Sequence, residues 1–185
     1  MTTAKKLMTA EDLLALPDDG FHRYELMNGV LITMPPDGEQ HGSVLNNTDF
    51  EFTGYVRARN LGRITVGDAG YILRRGPDIV RGPDLAFTSR ERLQGAPASG
   101  YQTVVPDLIV EIVSPGDRSG EVQEKTLLWL AAGARLVLNL YPRTRSVMAH
   151  RSPTERQEYT EPDILDALPV FPDFACPVAR LFEGT

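Results

Sequence analysis

PDLIVEIVSPGD, residues 106–117, is the stretch on which the reading of the fold turns. Leu108, Ile109, Val110, Ile112 and Val113 form a short apolar run, mostly β-branched, closed by Ser114-Pro115-Gly116. A run of that length and composition, ended by turn residues, reads as a strand buried on both faces. Glu111 sits in its middle. An ionised carboxylate is costly to bury without a partner, so Glu111 either titrates or holds a cation.

Downstream of this strand, the pattern predicts a helix from about Gly120 to Ala132, stopped by Gly133. A hairpin then joins Leu136–Tyr141 to Val147–His150 across Pro142-Arg143-Thr144-Arg145. Upstream, residues 94–106 are loop-like, and Asp84-Leu85-Ala86-Phe87 is a short strand. Ile64–Val66 and Tyr71–Leu73 look like paired strands around Gly67-Asp68. Between His41 and Asn60 no proline occurs, and Leu45, Phe52 and Val56 recur at helical spacing, which predicts the long helix. Asn28-Gly29 between Arg23–Met27 and Val30–Met34 is a strong hairpin signal. Thr9-Ala10-Glu11-Asp12 is close to a capping box and opens a short first helix. The proline-rich tail, with Pro162, Pro169, Pro172 and Pro177, is expected to run extended around the core. One α/β domain, residues 1–185, accounts for the whole pattern.

The composition fits that reading. Of 185 residues, 42% are hydrophobic and 24% charged, as in a globular protein with a real core. The single cysteine, Cys176, excludes an internal disulfide and any cysteine-based metal cluster. No apolar leader and no run of membrane-spanning length appears, so the expected compartment is cytoplasmic, without a membrane partner. The net charge of −6 argues mildly against nonspecific binding to nucleic acid, but it is unevenly spread. Residues 57–92 carry eight arginines (57, 59, 63, 74, 75, 81, 90 and 92) against four acids, a net +4. Such a segment reads either as a phosphate-facing surface for DNA or as scattered solvated arginines.

The candidate chemistry centres on Asp84 and Glu111. Two carboxylates on adjacent strands can hold a divalent cation through hard oxygen ligands. The cation then polarises a phosphate and lowers the pKa of a bound water. A nearby lysine would orient that water or neutralise charge developing on the phosphate. The familiar arrangement places this lysine two residues after the glutamate, where the chain has Val113. Lys125 is the candidate replacement, because it projects from the following helix among Leu128, Trp129 and Ala132. It could instead reach solvent past Trp129 or pair with Glu121.

Pro-Asp alone is a weak signal, since it occurs seven times and is usually a turn. Arg-Gly-Pro-Asp occurs twice, ending at Asp78 and Asp84, and Asp84 is preferred because a buried-looking strand follows at once. Glu25 and His41 are secondary candidates. Glu25 points opposite to Tyr24 and Leu26, which in a one-sided sheet could be the solvent side. His41, at the start of the long helix, could be a base, a phosphate contact or an ordinary helix residue. Ser114 could bond near Glu111 or simply end the strand. No Gly-rich phosphate loop, Ser-His-Asp order or histidine-rich metal set is present.

Taken together, RYELMNGVLITM, His41 opening a helix, RGPDLAF, PDLIVEIVSPGD, the KTLLWLAAGARLVLNLYP block and the closing FPDF…LF resemble the Uma-two family of restriction-endonuclease-like proteins. The resemblance spans nearly the whole chain. It implies a restriction-endonuclease-like fold of the PD-(D/E)XK superfamily, a mixed sheet flanked by helices, and a Mg²⁺-dependent nuclease site in which Mn²⁺ could substitute. On this resemblance Asp84 and Glu111 are the metal ligands, Lys125 assists, and Glu25 and His41 fill polar positions of the site. It also implies a homodimer, because cutting two strands takes two sites. One block departs from the family pattern, with Leu138 in place of a tryptophan and Tyr141 in place of an aspartate. The sequence therefore supports a metal-dependent endonuclease acting on DNA. Its alternatives are a catalytically inactive nuclease fold serving as a DNA- or protein-binding module, and a hydrolase of small phosphorylated substrates.

Overall fold

The computed structural model describes residues 7–17, 19–67, 69–96 and 99–185. Thr9 caps the short helix α1 (Ala10–Leu14) with the reciprocal bonds of a capping box to Asp12. Strands β1 (Arg23–Met27) and β2 (Val30–Met34) pair antiparallel across Asn28 and Gly29. Both turn residues have positive φ, 54° and 75°, the conformation an Asn-Gly hairpin turn requires. Helix α2 (Glu39–Arg59) is the long helix, and it ends at Asn60 in the left-handed region.

Next come β3 (Gly62–Val66), β4 (Tyr71–Arg74), β5 (Ile79–Arg81), β6 (Leu85–Ser89) and the short α3 (Arg90–Leu93). Strand β7 (Leu108–Ile112) leads into α4 (Ser119–Ala132), which returns the chain to β8 (Leu136–Tyr141). Strands β9 (Ser146–His150), β10 (Arg156–Tyr159), β11 (Ile164–Ala167) and β12 (Phe171–Pro177) follow, and α5 (Val178–Leu181) closes the chain.

Two larger sheets organise these elements: a six-stranded one in the order β10-β9-β8-β7-β6-β3 and a four-stranded one in the order β2-β1-β5-β4. The fold is α/β, a mixed sheet flanked by helices, as expected. Within the six-stranded sheet β7 and β8 run parallel, joined by α4, while the other pairs are antiparallel. Every residue of β7 is buried. Leu108, Val110 and Ile112 pack in a core with Val44, Phe52 and Val56 of α2, whereas Ile109 packs with Trp129 of α4. Period-two alternation places Glu111 on the α4 face with Ile109.

Three expectations need correction. Ile64–Val66 and Tyr71–Leu73 do not pair: β3 lies against β6 in one sheet and β4 against β5 in the other. The turn assigned between them includes Asp68, which lies outside the described residues. Ile79–Arg81, within the Gly- and Pro-rich stretch 76–83 that the sequence offers only as the entrance to the Asp84 strand, is itself the strand that links β1 to β4. The tail is not merely extended. It forms β10, the β11–β12 pair and α5, and it sends Phe171, Phe174 and Phe182 into the main core. Pro169 and Pro172 suited a loop, but they leave Phe171 and Phe174 free to stack on Phe52 and Tyr55 of α2.

Candidate functional site

Between β5 in one sheet and β6 in the other, the chain crosses in three residues, Gly82-Pro83-Asp84. This crossing delivers Arg81 and Asp84 to the seam of the two sheets, where a cleft of about 510 Å³ opens. β1 brings Glu25 to it, the start of α2 brings His41, β7 brings Glu111 and α4 brings Lys125. All five candidates named from the sequence line this one cleft.

Glu111 is held by two side chains one helical turn apart on α4. Its Oε1 accepts from Trp129 Nε1 at 2.9 Å and its Oε2 from Lys125 Nζ at 2.8 Å. The Lys125 ammonium also donates to the Gly82 carbonyl at 3.2 Å and lies 3.6 Å from Glu25 Oε1. Lys125 therefore points inward, and its partners are Glu111, Gly82 and Glu25 rather than Glu121. Glu25 is buried rather than solvated: it accepts from Gly82 N–H at 2.8 Å and from Arg81 Nη1. Val113 lines the same cleft, so the place usually given to the lysine is open to the site, and the ammonium arrives from α4 instead.

On the other side of the cleft, Asp84 Oδ2 accepts from the Ile112 N–H at 2.7 Å and lies 3.2 Å from His41 Nε2. Asp37 Oδ2 stands 3.4 Å from His41 Nδ1, and Arg23 donates from Nη2 to Asp37 at 2.8 Å. One ligand atom from each of Asp37, His41 and Asp84 can be chosen so that all three lie within 4.8 Å of one another, close enough to share a metal ion.

Burial and charge set the protonation of these groups. Burial pushes the Glu111 carboxyl up, the Lys125 charge opposes this, and the charges of Asp84 and Glu25 add to it, leaving it at about 7. Burial also disfavours the Lys125 ammonium, but Glu111, Glu25 and Asp84 outweigh it and raise its pKa. For His41, burial is overcome by the hydrogen bond to Asp84 and the charges of Asp84 and Asp37, so the imidazolium is favoured. Asp84, although buried, is held below the usual carboxylate range by His41 and the Ile112 N–H. The cleft thus holds opposite charges pressed together among buried side chains.

Asp78, the other Arg-Gly-Pro-Asp aspartate, is elsewhere. It accepts from the Ala10 and Gly76 N–H groups and from Arg75, tying α1 to the start of β5. Sequence reasoning missed Asp37, Arg81, Trp129 and Arg23. Two of them had a signal: Asp37 is four residues before His41, and Trp129 four after Lys125.

The arginine segment does not form one surface. Arg81 is buried against Glu25, Arg75 pairs with Glu11 and Asp78, and Arg92 pairs with Asp107. Arg57 and Arg59 lie at the far end of α2 from His41, roughly 24–27 Å along its axis at about 1.5 Å per residue. The described residues include no helix long and apolar enough to cross a membrane.

Comparison with known proteins places the chain in a family and supports its fold. A family model described as "Uma2: Putative restriction endonuclease" matches residues 10–179. Among solved structures, the chain resembles one titled as a putative nuclease belonging to DUF820 from Anabaena variabilis. The TM-score is 0.78 and the identity 19%, over 95% of this chain and 97% of that one, a likeness of fold. No curated protein matches.

Proposed function

The chain belongs to the Uma2 family, and from that premise and the shared cleft we propose that the protein is a divalent-cation-dependent endonuclease acting on DNA phosphodiesters. The observation that carries this reading is the convergence of Glu25, His41, Asp84, Glu111 and Lys125, from five separate segments, on one cleft. Buried ionisable groups cost stability, and clusters of them with shifted pKa values mark functional sites.

The residues suit a hard cation. Asp84 and Glu111 are the carboxylates proposed for Mg²⁺ or Mn²⁺; Asp84 also lies close to Asp37 and a His41 nitrogen, a set that would favour Mn²⁺. When bound, such a cation supplies charge for the phosphate and acidity for a bound water. Lys125, whose pKa is raised, stays protonated and serves as fixed positive charge facing the phosphate. Glu25 positions that ammonium and anchors Arg81 beside it. His41, held between Asp37 and Asp84, is the proton carrier of the cleft. Cutting both strands of a duplex would require two copies, so the reading includes a homodimer.

A second reading has its own observation. Both Glu111 oxygens are already hydrogen-bonded, to Trp129 and Lys125, and Val113 leaves the usual lysine place apolar. On that view the fold binds DNA or protein without cutting. Nicking of supercoiled plasmid in Mn²⁺ or Mg²⁺ separates the two. The expected result is cleavage by wild type, and a loss of 100-fold or more (about 3 kcal/mol of barrier) in folded Lys125→Ala. Wild-type protein that binds metal but never nicks supports the binding module, and unchanged cleavage by the variant removes Lys125 from the mechanism.

A further inference from the structure

Beside the acidic cleft lies a second lobe, also of about 510 Å³. The two share six lining residues, His41, Ile112, Val113, Ser114, Asp117 and Val122, and so form one continuous trough. Their characters differ. The first lobe gathers buried acids and cations, whereas the second adds Pro115, Pro142 and the half-buried ring of Tyr141 to the shared Ile112, Val113 and Val122, with Glu39, Asp117 and Arg143 as charged residues at its exposed edge. Its wall is preformed, because Asp117 accepts from the Ser114 N–H at 2.7 Å and donates back from its own N–H to the Ser114 carbonyl at 3.0 Å. Arg143, on the β8–β9 turn, lines the lobe, is exposed and has no ion-pair partner among the described residues. Helices α2 and α4 both begin at this lobe, and neither first turn has a side-chain cap.

A phosphodiester placed against Asp84 and Glu111 carries a nucleoside on each side, and the adjoining lobe offers one of them the ring of Tyr141 flanked by Pro142, Pro115 and Val122, with hydroxyls and charges around it. Bases inside an intact duplex are stacked and cannot enter such a chamber. We propose that this lobe binds one unstacked nucleotide of a single-stranded nucleic acid, with Tyr141 as the stacking face and Arg143 meeting a flanking phosphate. The inference rests on the nuclease reading for the phosphodiester's position, and it narrows the substrate to single strands, frayed ends or flipped nucleotides. An aromatic face accepts any base, so little sequence preference is expected from this lobe.

The test is binding of a fluorescent oligothymidylate of about ten nucleotides to the full chain in chelator, followed by anisotropy. Tyr141→Ala is expected to weaken binding about tenfold or more, and Tyr141→Phe to stay within about twofold of wild type. Arg143→Ala should lower the dependence of log affinity on log salt by about 0.7. Duplex of equal length should compete at least tenfold less well. In wild type, a 2-aminopurine placed within the strand should lose fluorescence on binding, a readout that needs no variant to fold. Tyr141→Ala binding like wild type, equal competition by duplex, or an unquenched probe overturns the proposal. Its fate is separable from that of the metal site. Tyr141-dependent binding by a protein that takes up no cation upholds the lobe and removes the nuclease reading. Cation uptake without strand binding does the reverse.

Discussion

Glu111 has its carboxylate fixed at both oxygens and its pKa lifted to about 7, so at neutral pH it stands between charged and neutral forms. This shift has a definite sign in stability. Between the ordinary 4.5 and about 7 the folded chain holds a proton at Glu111 that the unfolded chain has lost. The stabilising contribution is therefore complete below about 4.5 and is lost as pH rises through about 7. Asp84 behaves oppositely, since its pKa is lowered and its contribution fades only as acid is added below its ordinary value. Glu111→Gln removes the first slope and leaves the second. In urea melts, the stability of wild type relative to this variant should fall between about pH 5 and pH 7.5, by an amount on the order of 1 kcal/mol or more. A difference that does not vary with pH contradicts the assigned environment. At this scale the sequence was informative because a glutamate in a β-branched run has few innocent explanations. It misled on Arg81, which read only as one of the eight arginines of residues 57–92, because its Arg-Gly-Pro-Asp tetrapeptide recurs at 75–78.

Among the elements, those whose partners are near in sequence were readable. The β1–β2 hairpin, α2, β7, α4 and the β8–β9 hairpin all carry local signals in turn chemistry and periodicity. The β3–β4 pairing was misjudged for the opposite reason. Gly67-Asp68 resembles a hairpin turn, but Ile64 finds Phe87 and Ile72 finds Val80, so each strand gains more by joining a different sheet. The tail shows the same limit, because the rings that cover Phe171 come from Phe52, Tyr55 and Phe87, more than eighty residues away. Phe171→Ala is accordingly expected to cost about 3–5 kcal/mol, measured by urea or thermal unfolding. A melting curve like that of wild type would mean that the tail lies on the core without being part of it.

At the scale of the whole molecule the two larger sheets meet where the chain crosses between them in three residues, and the candidate site is a consequence of that joint. β7 supplies a carboxylate through its alternation, and the crossing supplies Asp84. Helix α2 reaches the seam with His41, and α4 returns over the sheet to place Lys125 where Val113 cannot serve. The class of fold could be anticipated from the order of elements, but the seam could not, since the Leu26–Val80 pairing that sets β1 beside β5 at its edge spans more than fifty residues. Its lining carries seven carboxylates (Glu25, Asp37, Asp84, Glu111, Asp117, Glu121 and Glu124) against four basic side chains (Arg23, His41, Arg81 and Lys125), an excess of negative charge that suits the proposed cation between Asp84 and Glu111. Calorimetric titration of wild type and Glu111→Gln with Mn²⁺ and Mg²⁺ at about pH 8, where Glu111 is ionised, tests this directly. Saturable binding by wild type with a loss of tenfold or more in the variant (about 1.4 kcal/mol) is the predicted result. Equal affinity in the two proteins, or no binding by either, would contradict it.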